Sequence, residues 1–481
     1  MRRTLLTAHG RCNEKTPISK TDFVPRRDCA VNDRFNRFLY PPRPGNFRRN
    51  EWRDPMTSPV SNFRGHLTLV LSTVLHLFTH AYGTMLVPLY LLIRSDLHLS
   101  GVKSVAFIAT VYGVTYCALS FQAGVLADRH DRRMLLGIGL LGNAIAITAM
   151  GFTQQYWLLL ALGFMAGVFG TLFHPTANAL VPAHYPKSPG MAIGLLGIGS
   201  GMGFYVGPKY AGWRAESAHW QLGHLSQWQK PLVELGVAGV VCAVLFLLFA
   251  TEVRTMENNP SQVHPPLGRA LRSRVLLIGA TLGCRDFAGV SSISLIGIYL
   301  QKAHGMSVQK TGSILGSMML ISIFVSPLAV WISPRGRRLP LMVALLAVGG
   351  VVLATVPFVA ASQVLIVLAL FQTCHLGSYA VSDAAMLERV PGNLRGRVVG
   401  VFLCLAGTAA GCGPWVMGYW TDLLGTRSAD PRAYIPVFAI SGAIMCIATV
   451  SAPIIARLGA VQGVEIDPLS EMMPGTVGPM G

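Results

Sequence analysis

The chain has 481 residues, 52% hydrophobic and only 12% charged, about half the charge of an ordinary soluble domain, which excludes a soluble enzyme or binding module and points to a polytopic membrane protein. A net charge of +18 could suit a nucleic-acid binder, but the Lys and Arg residues fall in the N-terminal tail and in alternate loops. That distribution reads as membrane topology, so the expected partners are the lipid bilayer and a small molecule, with no nucleic acid.

Residues 1–64 are polar and rich in Arg and Pro, as in PPRPGNFRRNEWRDP at Pro41–Pro55, and are expected to be a disordered basic tail because they cannot bury a core. No early apolar stretch of signal-peptide type is present, so the first membrane helix is expected to insert uncleaved. Glu14, Asp22, Asp28 and Asp33 argue against an organellar transit peptide, and a start at Met56 would leave every membrane segment intact. Twelve segments then meet the requirement of about 20 mostly apolar residues. Leu67–Ile93, Val102–Ala127, Met134–Phe152, Trp157–Leu180, Met191–Tyr210 and Pro231–Thr251 make an N-terminal half over 65–252. A polar linker over 253–273, containing MENNPSQVHPP, separates it from a C-terminal half over 274–458. That half holds Val275–Leu300, Val308–Ile332, Leu341–Ala360, Val364–Ala384, Val398–Trp420 and Ile435–Ala456, and a short tail over 459–481 follows. An even count puts both termini on one side. The excess of Arg in the loops at Arg129–Arg133, Arg269–Arg274, Arg335–Arg338 and Arg389–Arg397 makes that side the cytoplasm, while Arg94, Lys103, Lys209, Arg214 and Lys230 fall outside. Trp157, Trp331 and Trp420 at segment ends read as interface anchors. The nine cysteines show no metal-ligand spacing, and Cys117, Cys284, Cys374 and Cys404 inside apolar runs read as small packing residues.

The halves repeat. A shift of 206 residues lays Gly190, Gly194, Gly201, Gly207, Pro208 and Gly212 on Gly396, Gly400, Gly407, Gly413, Pro414 and Gly418, and a shift of 205 lays Arg132 and Arg133 on Arg337 and Arg338 in SPRGRR. The stretch GVLADRHDRR, Gly124–Arg133, packs Asp128, Arg129, Arg132 and Arg133 between two apolar runs. Charges there must lie at the water boundary, because facing lipid costs about 2.5–3.5 kcal/mol each. Gly124 would let a neighbouring helix approach, and Asp128 would cap another helix or pair with a base. This stretch resembles the signature loop of the major facilitator superfamily between helices two and three, departing from it at Asp131, where that family usually has Gly. The resemblance implies an all-α membrane fold of twelve helices in two pseudo-symmetric six-helix halves, with a site between them. GSGMGFYVGPKYAG, Gly199–Gly212, is similar to the Gly-Pro motif in helix five of facilitator antiporters. It implies export against an inward ion, with Gly207 and Pro208, and by repeat Gly413 and Pro414, as a conformational element. HAYGTMLVPLYLLIRSDLHLS from His80, with FHPTANALVP at Phe173–Pro182, resembles the fosmidomycin-resistance branch, matching at His80, Tyr82, Pro88, His174 and Pro175 and departing at Asn178 and the following segment.

Ionisable residues inside membrane segments are functional candidates because they are costly there. Arg285 and Asp286 fall in mid-segment, and because neighbours on a helix point about 100° apart they are expected to divide the work, Arg285 taking a substrate anion and Asp286 the coupling proton. His80 is their expected hydrogen-bonding neighbour. His174, His375 and Tyr379 complete the candidate substrate site, and His76 reads as a helix-to-helix hydrogen bonder. Asp383, with Glu388, is expected to latch onto Arg337 and Arg338. The function expected is a secondary transporter, monomeric and in the plasma (inner) membrane, exporting a small anionic or drug-like compound against protons. Uptake of an organic anion or sugar-like metabolite, a membrane-embedded transferase and a transporter-like sensor or scaffold are the alternatives. No nucleotide-binding Gly loop, HExxH or carboxylate-rich cluster is present, and no cofactor or metal is expected.

Overall fold

The computed structural model describes residues 59–218, 223–253, 268–390 and 394–458. The expected disordered N-terminal tail, most of the linker and the C-terminal tail lie outside the described residues. The described chain is helical, and proline and side-chain hydrogen bonds decide where its helices break. In the N-terminal half α1 (Pro59–Thr84) runs into a turn at Val87–Leu89, set by Pro88, and continues as α2 (Tyr90–Asp96). The second span is α3 (Val102–Ala118) and α4 (Ser120–Arg129), bent by 46°. At the bend Ser120 and Thr171 hydroxyls, 3.0 and 2.7 Å away, both donate to the Tyr116 carbonyl, drawing it out of the helix ladder. Then come α5 (Arg132–Met150), α6 (Tyr156–Gly170), α7 (Phe173–Ala183), α8 (Pro189–Glu216) and α9 (Gln229–Phe249). The α6/α7 break falls four residues before Pro175, whose ring would strike the Thr171 carbonyl in a continuous helix.

The C-terminal half holds α10 (Arg269–Lys302), α11 (Val308–Leu320), α12 (Ser322–Trp331), α13 (Arg338–Thr355), α14 (Val364–Leu387), α15 (Arg395–Gly411), α16 (Gly413–Leu424), α17 (Ile435–Ile447) and α18 (Ser451–Ala456). Pro414 and Pro453 explain the α15/α16 and α17/α18 breaks in the same way. Eleven helical stretches among the described residues are long and apolar enough to cross a membrane, and α3 with α4 makes twelve. The spans expected from sequence are therefore present, but several are pairs of half-helices. Side chains that water would reject ring the outside, with Leu248 67%, Phe324 68% and Ile366 72% exposed, which fits a lipid-facing belt. Trp157 and Trp331 stand out at helix ends.

Within the N-terminal half α1 packs along α8 and α9, and α5 along α6 and α9; within the other, α10 packs on α15 and α17, and α13 on α14 and α17. Two seams join the halves: α3 with α15 and α16, and α8 with α11. One correction concerns charge. Arg214 and Lys230, assigned to outer loops by hydropathy, are buried helix residues, and Arg214 Nε holds Glu234 at 2.8 Å while Tyr210 donates to the same carboxylate at 2.6 Å. A buried guanidinium is tolerated here because α9 brings it a carboxylate.

Candidate functional site

Arg285 and Asp286 lie midway along α10, 0% and 2% exposed. Their division between two separate spots is not what the structure shows. The Arg side chain is long enough to bend round the helix, and its Nε donates to Asp286 Oδ1 at 2.7 Å. Nη1 donates to Ser382 Oγ on α14 at 2.7 Å, and the guanidinium plane lies over the Tyr379 ring, 3.5 Å from its centroid. His375, one turn earlier on α14, meets Tyr379 edge-on at 5.5 Å, and its Nδ1–H donates to Gln372 Oε1 at 3.2 Å. Asp383 does not reach Arg337 or Arg338 as expected; it lies in the electrostatic field of Arg285, and Arg338 pairs with Glu388. Arg337 is exposed. Among the described residues, Arg285 Nη2, His375 Nε2, Gln372 Nε2 and Asp383 Oδ1 are buried without a partner. A buried polar atom left unsatisfied costs about 1–3 kcal/mol, so these four atoms are the ones here that a bound water or ligand would satisfy.

The N-terminal half carries a second group. His76 and His80, i and i+4 on α1, share a face, and the α6/α7 break turns His174 towards them. His80 Nε2 lies 3.0 Å from His76 Nε2, and His76 Nδ1 bonds the Leu196 carbonyl of α8 at 2.8 Å. His76 thus makes the helix-to-helix bond expected of it. His80 does not adjoin Arg285 or Asp286; its neighbours are His76, His174 at 5.3 Å and Phe204 at 4.3 Å between ring centroids. The two groups flank α3: Tyr116 meets His174 at 6.0 Å, and the next residue, Cys117, lies within electrostatic reach of Asp286.

The seams explain the repeated glycines. Along α8 the face formed by Gly190, Gly194, Gly197, Gly201, Tyr205, Pro208 and Gly212 runs at helical spacing from one end to the other. At the far end, away from the linker, it meets α11: a Cβ on Gly212 would lie 2.6 Å from the Val308 carbonyl oxygen, and one on Gly312 2.2 Å from that of Pro208. At the linker end the same face is unopposed among the described residues, with none of their atoms within 4 Å of a Cβ on Gly190, Gly194 or Gly197. The other seam repeats this. A Cβ on Gly418 would lie 2.7 Å from Lys103 Cα and one on Gly407 2.7 Å from Cys117 Sγ, whereas at Gly400 the nearest atom, on Phe121, is an ordinary 3.6 Å away. Gly207 fits against Ala81 of α1 and Gly413 against Ser291 of α10, so the Gly-Pro pairs pack equivalent helices.

Two carboxylates cross the seams at the far end. Asp422 of α16 accepts from the Val102 and Lys103 amides at the start of α3, at 2.8 and 3.0 Å, and Glu216 of α8 accepts from the Val308 amide at the start of α11, at 2.6 Å. Each acid stabilises the free amides and positive dipole end of a helix in the opposite half. Sequence reading missed both, although the 206-residue shift carries Glu216 onto Asp422 and Val102 onto Val308. At the linker end the described bonds stay within one half: Arg133 to the Ala250 carbonyl at 3.2 Å, Arg132 to that of Ala127 at 3.3 Å, Arg338 to Glu388. A Cβ on Gly124 would lie an ordinary 3.8 Å from Pro175 Cβ, so the approach is looser than expected. Asp128 and Arg129 are exposed, and Asp128 caps no helix and pairs with no base among the described residues. The acid that caps is Asp131, the residue that departs from the signature: it accepts from the Met134 amide at 2.8 Å and starts α5.

Two six-span halves meeting along two glycine-lined seams, with buried polar groups on either side, define a polytopic membrane protein of facilitator architecture. The sequence matches the Major Facilitator Superfamily over residues 72–402 and 284–463, and the chain belongs to that family. It is similar to the multidrug resistance protein MdtG of Yersinia enterocolitica (30% identity over 167 residues, 34% of this chain and 40% of the relative) and of Serratia proteamaculans (32% over 175 residues, 35% and 40%). The matched part thus spans well under half the length of these relatives. In fold it is similar to a bacterial homologue of the human lysosomal transporter Spinster, inward-facing and unoccupied (TM-score 0.60, 15% identity, 84% of this chain and 96% of that one) or occupied (0.62, 16%, 85% and 98%).

Proposed function

We propose that the chain is a secondary transporter that exports small drug-like organic compounds by alternating access, in exchange for protons. The observation that carries this reading is the asymmetry of the seams: among the described residues one helix face is packed to van der Waals contact at one end and unopposed at the other, which fits one of the two states such a mechanism requires. With the termini in the cytoplasm of a bacterial inner-membrane protein, and the halves over 65–252 and 274–458, the unopposed end faces inward. The names of the MdtG relatives support export of varied compounds.

The substrate site lies between the two polar groups, with Arg285, His375 and Tyr379 on one side and His80 and His174 on the other. Asp286 already neutralises Arg285, so the site offers no free positive charge, and the balance favours an amphipathic compound over an obligate anion. The aromatic faces of Tyr379, Phe204 and Tyr116 bind its apolar body, and the unpartnered atoms of Arg285, His375, Gln372 and Asp383 take its polar groups. Asp286 carries the coupling proton: a proton there cancels its charge and releases Arg285 from the pair, which changes what α10 holds on α14. Reconstitution tests this. Asp286→Asn is expected to keep substrate exchange between the two sides while abolishing accumulation driven by a pH gradient; full pH-driven accumulation by this variant removes Asp286 from coupling, and absence of any counterflow by the native chain removes the transporter reading.

A further inference from the structure

The imidazoles of His76, His80 and His174 bring three ring nitrogens within 4.8 Å of one another, and no carboxylate or thiol joins the group among the described residues. We infer that they form a binding site for one late first-row transition-metal ion of the zinc or cobalt type; it shares His80 and His174 with the substrate site proposed above, but metal binding can be read without knowing what the chain transports. Neutral imidazole is the preferred nitrogen ligand of these ions, and three histidines leave a fourth position open. Nitrogens bound at about 2.0–2.1 Å around a tetrahedral ion lie about 3.3 Å apart. His76 and His80 are already at 3.0 Å, so loading requires them to part slightly and His174 to swing in. His76 is oriented for the task, because its Nδ1–H donates to the Leu196 carbonyl and leaves the Nε2 lone pair pointing at the group, the arrangement that carbonyl partners give to metal-bound histidines.

Two of the imidazoles, His76 and His80, also bond each other. With the His76 Nε2 lone pair fixed as acceptor, His80 supplies the proton from its own Nε2; when a metal enters, that proton moves to Nδ1 of the same ring and both Nε2 atoms become ligands. Phe173 stacks on His76 at 4.6 Å and Phe204 covers His80 at 4.3 Å, shielding the nitrogens from bulk water. A divalent ion there brings two positive charges into the membrane with no protein anion beside it, so the open position takes an anion.

Cobalt is the probe, because its visible absorption reports coordination number. The full chain, purified in detergent through a tag that contains no histidine and stripped with chelator, is expected to bind one cobalt ion per chain with the strong absorption of four-coordinate cobalt, and azide is expected to shift that spectrum. His76→Gln, His80→Gln and His174→Gln should each weaken binding by more than the roughly 10-fold that loss of an outer partner costs, while His184→Gln, at the end of α7, leaves it unchanged. Failure of the native chain to bind one equivalent, the weak spectrum of six-coordinate cobalt, a spectrum that azide does not move, or full binding by the three single variants overturns the site. The native chain's stoichiometry decides even if a variant fails to fold, and transport activity enters none of these readings.

Discussion

At the far end of the molecule Gly212 lies against α11 and Gly418 against α3, and carboxylates from α8 and α16 cap the opposing helices; at the linker end a Cβ on the continuation of the same α8 face would meet none of the described residues within 4 Å. The helices and the small-residue pattern are shared by both ends, so residue type alone does not decide whether the seam is shut. Small residues permit a close approach without driving it, since lipid tails are as apolar as the side chains they replace. What distinguishes the closed end is the pair of charge-assisted caps, each worth about 0.5–2 kcal/mol. Under the alternating-access mechanism proposed above, the glycines at the linker end serve a second state, in which that end closes and the far end parts.

The largest effect expected comes from filling the seam. Gly312→Leu puts a side chain where even a Cβ would lie 2.2 Å from a backbone oxygen, so the far end cannot shut. Gly194→Leu meets open space here and blocks only the alternative state. Both should cut transport more than about tenfold, a shift of about 1.4 kcal/mol or more, with opposite structural outcomes. Spin labels on the far ends of α8 and α11 should separate in the first variant and hold their short distance in the second. If both variants give the same distance, the two-state reading of the glycines is wrong.

Asp128 is next. It is exposed and without a partner among the described residues, at the end where the α8 face is unopposed by them, so the stabilisation expected of it belongs to the state in which that end is closed. Asp128→Asn should leave membrane abundance normal and slow turnover, biasing the chain towards the conformation described by about 1–3 kcal/mol. Unchanged turnover, or loss of the protein from the membrane, would count against that role. At the opposite end, Asp422→Ala and Glu216→Ala should each bias the equilibrium the other way by about 0.5–2 kcal/mol, roughly 2- to 30-fold. The two have no partner in common, so the double variant should show close to the sum. A large effect from one and none from the other would show that the repeat is not functionally symmetric.

Much of this architecture is legible in the residues. The twelve apolar stretches and the glycine repeat give the halves and their pairing, because span length and close helix contact leave strong periodic marks. The half-helix breaks are partly legible through Pro175 and Pro414, but the α3/α4 bend depends on Thr171 reaching across from another helix, which no local pattern shows. Burial of Arg285 and Asp286 could be read from their position; their bond to each other could not, since it depends on how a flexible side chain settles against Ser382 and Tyr379. Arg214 shows the opposite failure: hydropathy expels a charge from the membrane, and only the fold reveals that Glu234 is there to receive it. The triad needed tertiary contact too, as His174 is remote in sequence from His76 and His80.

The smallest effect tests whether the linker end is held together within one half. Glu252, just past the end of α9, lies beside Asp131 and Arg132, and partial burial, followed by the neighbouring Asp131 carboxyl, raises its pKa above the ordinary carboxylate value. A carboxyl raised on folding binds its proton more tightly in the native chain, so its contribution to stability is complete below the ordinary pKa and is lost as pH climbs through the native one. Glu252→Gln keeps the neutral form at every pH. The variant should therefore match the native chain in acid and exceed it near neutrality, by at most about 0.5 kcal/mol because the group is partly exposed and screened. Thermal unfolding of both proteins across the acid-to-neutral range reads the difference. If the Gln variant is the less stable near neutrality, the Glu252 charge is paired to advantage with Arg132, and this end of the seam owes its cohesion to an ion pair rather than to the cap and packing around Asp131.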